Sequence, residues 1–364
     1  MKTASRALSL ILALAFFVFA TSCASGETKP AASTGNSSGA STGNASSGSV
    51  ASASESASVS LKSIRVASQT ECTSTPFVIA DKLGFFAEEG LQIEYTGELT
   101  GGAANVAALL NGTNDVMNTH PNNFATYVHE GAALKAVELN IVDPPEDIPS
   151  EFRHMRLYAS KDNASINTLA DVANYKPGEN LKIVGTVPSC TTFILSYIFK
   201  NNGLDPSRIE WTTADSTSAA LQALELGDLD FVFIHPPFYY LAEQNGYKLL
   251  ADSFDSGLGP AAGTYLYAFS EDFIASYPET VQKFINAIKK AQQYANDNTS
   301  EAARLTAEHI QQEVKATHYY YTGTGIPKSY IQPWLDDLVE SGAWAEGEVT
   351  VSDLVDFTFE PELE

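Results

Sequence analysis

The chain has 364 residues, with 21 Lys and Arg against 44 Asp and Glu, a formal net charge of −23. That length suits two domains better than one. No basic stripe exists to neutralise phosphates, which argues against a nucleic-acid partner, and the spread of the acidic residues reads as a solvated surface.

Lys2 and Arg6 precede an apolar run over 7–20, which ends in Ala20-Thr21-Ser22-Cys23. Residues 1–22 read as an export signal whose apolar core is short for a membrane span. The step of small residues into Cys23 resembles a bacterial lipoprotein processing site. That resemblance implies an acylated Cys23 holding an exported protein on a lipid bilayer, facing the periplasm or the cell exterior. Residues 23–60 are nearly all Ser, Ala, Gly, Thr and Asn. Such a stretch buries too little apolar surface to offset its ordering entropy, so it reads as a flexible tether. The globular body follows.

The body contains an internal repeat. Residues 92–118 read as strand, Thr/Gly loop, helix, Asn111-Gly112 and a strand from Asp115; residues 208–234 read as strand, polar loop, helix, Gly227 and a strand from Asp230. Gly112 and Gly227, Asp115 and Asp230, His120 and His235, and Pro121 and Pro236 are all 115 residues apart. Upstream, 64–77 and 182–193 each read as strand, polar loop and helix, with Thr75 as a cap and Pro76 as a first helical residue. Alternating strands and helices imply an α/β protein with a mostly parallel sheet in each half. Ligands of such sheets bind outside the carboxyl ends of the strands.

Several stretches resemble the bacterial binding proteins for sulfonates, nitrate, taurine and thiamine-pyrimidine precursors. They are Ile79-Ala80-Asp81-Lys82-Leu83-Gly84-Phe85-Phe86 with Glu89-Gly90-Leu91, and Ala107-Ala108-Leu109-Leu110-Asn111-Gly112 with Asp115. Thr168-Leu169-Ala170-Asp171-Val172 before Ile183-Val184-Gly185, and Ala220-Leu221 through Gly227 and Asp230, complete the set. The resemblance implies a two-lobed periplasmic-binding fold of type II, crossed twice by the chain. It places lobe one at 62–157 plus 266–364 and lobe two at 158–265, with helices over 278–296 and 327–342 packing on lobe one. Two crossings make a hinge that closes over a small-molecule solute. The partner implied is the membrane permease of an ABC importer, and a monomer is expected.

The loops assigned to the cleft are 68–75, with Gln69, Glu71, Cys72, Thr73 and Ser74; 97–102, with Glu98, Thr100 and Gly101; and 118–123, with Asn118, His120 and Asn122. The second lobe adds 186–193, with Ser189, Cys190, Thr191 and Thr192; 212–216, with Asp215 beside Trp211; and 235–240, with His235, Phe238 and Tyr239. These loops hold no Lys or Arg but do hold Glu71, Glu98 and Asp215. A strong anion would be repelled, so a neutral or amine-bearing nitrogen heterocycle is expected, stacked on rings such as Tyr95, Trp211, Phe238 or Tyr239. Helix N-termini at Thr75 and at 190–192 leave an anion of the sulfonate, nitrate or taurine type as the alternative.

Cys72, His120, Cys190 and His235 have the chemistry of a tetrahedral zinc site. Their sequence spacing is long and has no CxxC or HxxxH signature, so no metal and no cofactor are assigned. A Cys72–Cys190 disulfide would lock the hinge, so free thiols are expected. An enzyme using a cleft Cys beside a His is the competing class. The export signal and tether favour the binding protein, as does the absence of any appended module that a surface adhesin would need.

Overall fold

Strand β1 (Lys62–Ser68) buries Ile64, Val66 and Ala67 and pairs in parallel with β2 (Leu91–Glu98). These elements begin the part of the chain covered by the computed structural model, which describes residues 62–99 and 101–364, all within one compact unit. The export signal, Cys23, the tether and Thr100 lie outside the described residues. No helix among the described residues is long and apolar enough to cross a membrane.

Between β1 and β2 run α1 (Thr75–Lys82) and α2 (Phe85–Glu88). After them come α3 (Gly102–Leu110), β3 (Met117–Thr119), α4 (Pro121–His129) and β4 (Leu134–Leu139). The second lobe is built from β5 (Arg156–Ala159), β6 (Leu181–Val184), α5 (Cys190–Asn201), β7 (Ile209–Thr212), α6 (Thr217–Leu226), β8 (Phe231–Ile234), α7 (Tyr239–Gln244) and β9 (Lys248–Asp252). The chain then returns through β10 (Leu266–Ser270) to α8 (Glu271–Ser276), α9 (Pro278–Asp297), α10 (Thr299–Ile310) and α11 (Lys328–Glu340).

The two sheets share one plan. Lobe two is a five-stranded sheet in the order β7-β6-β8-β5-β9. In lobe one, β10 pairs antiparallel with both β3 and β4, and a parallel bridge from Val66 to Val116 sets β1 beside the entry to β3. The resulting order, β2-β1-β3-β10-β4, repeats the lobe-two order strand for strand. The antiparallel member of each sheet, β5 or β10, is the first strand after a crossing. Arg156 and Leu157 already pair with β8 and β9, so the first crossing lies upstream, within 140–155, rather than at 157–158.

The repeated aspartates explain part of this symmetry. Asp115 accepts from the backbone N–H of Arg65 at 2.8 Å, and Asp230 accepts from that of Lys182 at 2.8 Å. Each carboxylate thereby ties the start of a third strand to its first strand, and each is met by a cation, Arg65 or Lys176. They hold sheet register.

The cores follow the lobes. Phe77, Phe284, Tyr267 and Ile64 form one cluster beneath α1 and α9, and Phe193, Leu195, Ile183 and Phe231 another beneath α5. Thr75 is the first residue of α1 rather than its cap; its hydroxyl meets that of Thr306 on α10 at 2.7 Å.

Glu138 on β4 is fully buried, 3.4 Å from Lys289 Nζ, which also binds Glu360. Burial, with Lys289 opposing and Glu360 adding, pushes the Glu138 carboxyl up to about 8 from 4.5. A carboxyl raised in the folded state adds stability that is complete below its unfolded value and is lost as pH rises through the folded value. Glu138→Gln is therefore expected to flatten the fall in stability between about pH 5 and pH 9. Urea unfolding across that range checks it; parallel curves for the two proteins would reject it.

Candidate functional site

Several cavities are lined by both lobes; two of them share Glu71, while another, on the side of Tyr239 and Tyr240, holds Arg156 and Lys315. The larger of the two that share Glu71, of about 550 Å³, is lined by Gln69, Glu71, Thr73, Glu98, Gly101 and Asn118 from lobe one, Tyr265 at the second crossing, and Asp215 from lobe two. The smaller, of about 420 Å³, is lined by lobe-two groups including Ser189, Thr191, Thr212, His235 and Phe238, together with Glu71. Neither lining contains Lys or Arg.

Local capping positions the polar loops. Ser189 Oγ accepts from the backbone N–H of Thr192 at 3.2 Å at the start of α5, and Ser216 Oγ accepts from that of Ala219 at 3.1 Å at the start of α6. Each cap satisfies one N–H that would otherwise point unpaired at the cleft. In lobe one, Thr73 donates to Gln69 Oε1 at 3.1 Å, and Gln69 also bonds Asn118. This amide network fixes the cleft wall beside Glu71.

Other residues expected in the cleft lie elsewhere. Cys72 is fully buried against Ala303 and Val314 beneath α10, because the short turn Cys72–Ser74 carries its side chain inward. Ser74 is also buried and donates to Glu71 O at 2.7 Å. Trp211 and Thr192 line a separate pocket with Pro188, Asp337 and Trp344. Trp211 lies over Gly185, where an added Cβ would sit 2.7 Å from the indole. Tyr239 points to the far side: its hydroxyl donates to Arg153 O at 2.6 Å and its ring lies under the Arg156 guanidinium. Tyr95 packs on His309. Asn122 is buried at the start of α4, where its carbonyl caps Asn123 N–H and its amide nitrogen has no protein partner.

The densest chemistry sits at the floor of the cleft. His120 and His235, the repeated pair, stack with ring centroids 6.3 Å apart. His154, in the first crossing, packs edge-on against both, at 5.0 and 4.6 Å. Cys190 Sγ lies 3.4 Å from His235 Nε2. One ligand-type atom from each of His120, His154, Cys190 and His235 falls within 4.8 Å of the others. His318 flanks the group, 5.0 Å from His154. Cys72, the fourth member suggested by sequence, is absent from the cluster, and His154 takes its place.

Burial sets the protonation of these groups. It lowers His120 to about 3, with the charge of His235 adding, and lowers His235 to about 4. Burial also drives His154 and His318 well below the ordinary imidazole value and pushes the Cys190 thiol up to about 12. The rings are therefore neutral, each with one N–H and one lone pair. Both ring nitrogens of His154 and both of His318 are buried with no protein partner. An unmade buried hydrogen bond of this kind costs about 1–3 kcal/mol. No pattern along the chain marks His154 or His318, which stand in segments outside the repeat.

Residues 71–302 match the family model described as NMT1/THI5 like. The chain belongs to that family. No curated protein sequence matches this NMT1/THI5-like chain. Among solved structures it is similar to the periplasmic aliphatic sulphonate binding protein SsuA of Escherichia coli, with 18% identity, a TM-score of 0.64, and coverage of 83% of this chain and 94% of that one. It is also similar to the periplasmic nitrate-binding protein NrtA of Synechocystis, with 12% identity, a TM-score of 0.62, and coverage of 82% and 87%. A third is the ligand-binding component of an ABC-type import system from Staphylococcus aureus, solved with zinc bound, at 15% identity, a TM-score of 0.64 and coverage of 81% and 96%. These likenesses establish the two-lobed periplasmic-binding fold for this NMT1/THI5-like protein.

Proposed function

We propose that this protein is an extracytoplasmic solute-binding protein that captures a small organic molecule between its lobes and delivers it to an ABC importer. The observation that carries this reading is the shared cleft: Glu71 of lobe one and Asp215 of lobe two line the same cavity, so one ligand would touch both lobes and favour their closure. Family membership and the binding proteins of like fold support the same role.

The solute class follows from charge. Two of the similar proteins named above bind a sulphonate or nitrate, whereas the two cavities that share Glu71 offer carboxylates and amides and no cationic side chain. A neutral or amine-bearing nitrogen heterocycle matches those groups, with Phe238 as a ring to pack against. Calorimetry of the purified protein against heterocyclic amines, sulfonates and nitrate tests this. Submicromolar binding of an anion with no heat from any heterocycle would reject the solute class; no binding to any small molecule would reject the role.

Catalysis by Cys190 is the weaker reading. A nucleophilic cysteine needs a lowered thiol pKa, and burial moves this one the other way despite the adjacent His235.

Cys23 is the residue proposed to hold the protein at the membrane beside its permease. Cys23→Ala is expected to move the protein from the membrane fraction to the soluble fraction. Unchanged partitioning, with no lipid mass on the N-terminal peptide, would count against the anchor.

A further inference from the structure

We propose that His120, His154, Cys190 and His235 form a tetrahedral site for a single transition-metal ion of the zinc class at the floor of the cleft. The proposal is independent of which solute the cleft takes, and it is tested with no solute present.

The donor atoms are already disposed for it. His120 Nδ1 lies 2.8 Å from Thr264 O, and His235 Nδ1 lies 3.2 Å from His154 O. A carbonyl can only accept, so both Nδ1 atoms carry the proton and both Nε2 atoms present lone pairs. A backbone carbonyl holding the far ring nitrogen is the arrangement that orients a ligating histidine. His154 brings a further nitrogen with no competing protein partner, and Cys190 brings sulfur. Tetrahedral zinc, with bonds of about 2.0–2.3 Å, sets its ligand atoms roughly 3.3–3.7 Å apart. The Cys190–His235 pair is at 3.4 Å and no pair in the set exceeds 4.8 Å, so contraction of about 1 Å completes the shell.

Ligand type narrows the ion. Three imidazoles and a thiol, with no carboxylate in the set, suit zinc and its neighbours in the first transition row rather than calcium or magnesium. On binding, Cys190 releases its proton to solvent as the metal–sulfur bond forms, while the three imidazoles bind neutral.

The placement gives the site a consequence. His120 follows β3 in lobe one, His154 lies in the first crossing, and Cys190 and His235 belong to lobe two. An ion held by all four would join lobe one, the hinge and lobe two in the closed arrangement, and opening would withdraw at least one ligand.

The test uses the full-length, untagged chain, stripped by a chelator and titrated with Zn²⁺ and with Co²⁺. We expect one ion per chain and, with Co²⁺, a thiolate-to-metal charge-transfer band in the near ultraviolet. Cys190→Ser should abolish that band, and His154→Ala should weaken zinc binding at least about tenfold. Cys72→Ser and His309→Ala, outside the cluster, should change neither. X-ray absorption of the unmodified zinc form should report three nitrogen neighbours and one sulfur, which does not depend on any variant folding. A metal-free protein after exposure to Zn²⁺, a shell without sulfur, or equal affinity in Cys190→Ser would each overturn the site.

Discussion

Replacing Trp334 with alanine is expected to destabilise the protein by about 3–5 kcal/mol, the usual range for removing a fully buried Trp. Trp334 is fully buried on α11, yet it packs into the lobe-two core. Its ring lies 4.2 Å from Phe193 of α5 on one side and 4.9 Å from His120 of lobe one on the other. Its indole N–H donates to Ala261 O at 2.8 Å in the segment leading to the second crossing. Alanine would leave a cavity and an unpaired carbonyl at once. At about 2–4 °C per kcal/mol for chains of this size, the melting temperature should fall by roughly 10 °C. Trp334→Phe, which keeps most of the packing and loses only the hydrogen bond, should retain more than half of that stability. A calorimetric scan in which Trp334→Ala melts within a degree or two of the parent would show that the lobes are held by other contacts.

Trp334 also marks the limit of what the chain reveals on its own. Sequence periodicity places a helix there but cannot say that one face of it reaches into the other lobe. The repeat, in contrast, is legible because it is written at constant spacing: Asp115 and Asp230 perform one register-setting job, and His120 and His235 follow equivalent strands. Loop position places Trp211 and Tyr239 near the cleft, but there direction matters more than position. Trp211 shares a face of β7 with buried Ile209 and covers Gly185, and Tyr239 turns toward Arg156. Loop position alone points Cys72 at the cleft, but a tight turn folds its sulfur inward. His154 and His318 carry no sequence signal for a different reason. They stand in unrepeated segments, His154 in the first crossing and His318 between α10 and α11. The long sequence spacing that argued against a metal is what a site assembled from four separate segments must show.

The charge of the cleft leads to the other large effect. Glu71 lines both cavities, is partly enclosed, and has its carboxyl pKa raised by burial. A cationic group of a solute about 4 Å from an ionised Glu71, at an effective dielectric of about 20, gains roughly 4 kcal/mol. Glu71→Gln is therefore expected to weaken an amine-bearing solute by about two to three decades, with the loss appearing mainly as faster dissociation. The same substitution should improve sulfonate binding, since it removes a carboxylate shared by two cavities lined by no cation. Helix N-termini do not reverse this expectation. They contribute about 0.3–1 kcal/mol each when exposed, and at α5 and α6 one N–H is already taken by Ser189 or Ser216. Glu98 serves as the control: it is exposed at the rim, so Glu98→Gln should cost less than about tenfold and lose its effect in salt. Calorimetry of the three proteins with one amine and one sulfonate decides the matter. If Glu71→Gln leaves the affinity for the amine within about threefold, the carboxylate does not face the solute and the electrostatic reading of the cleft fails.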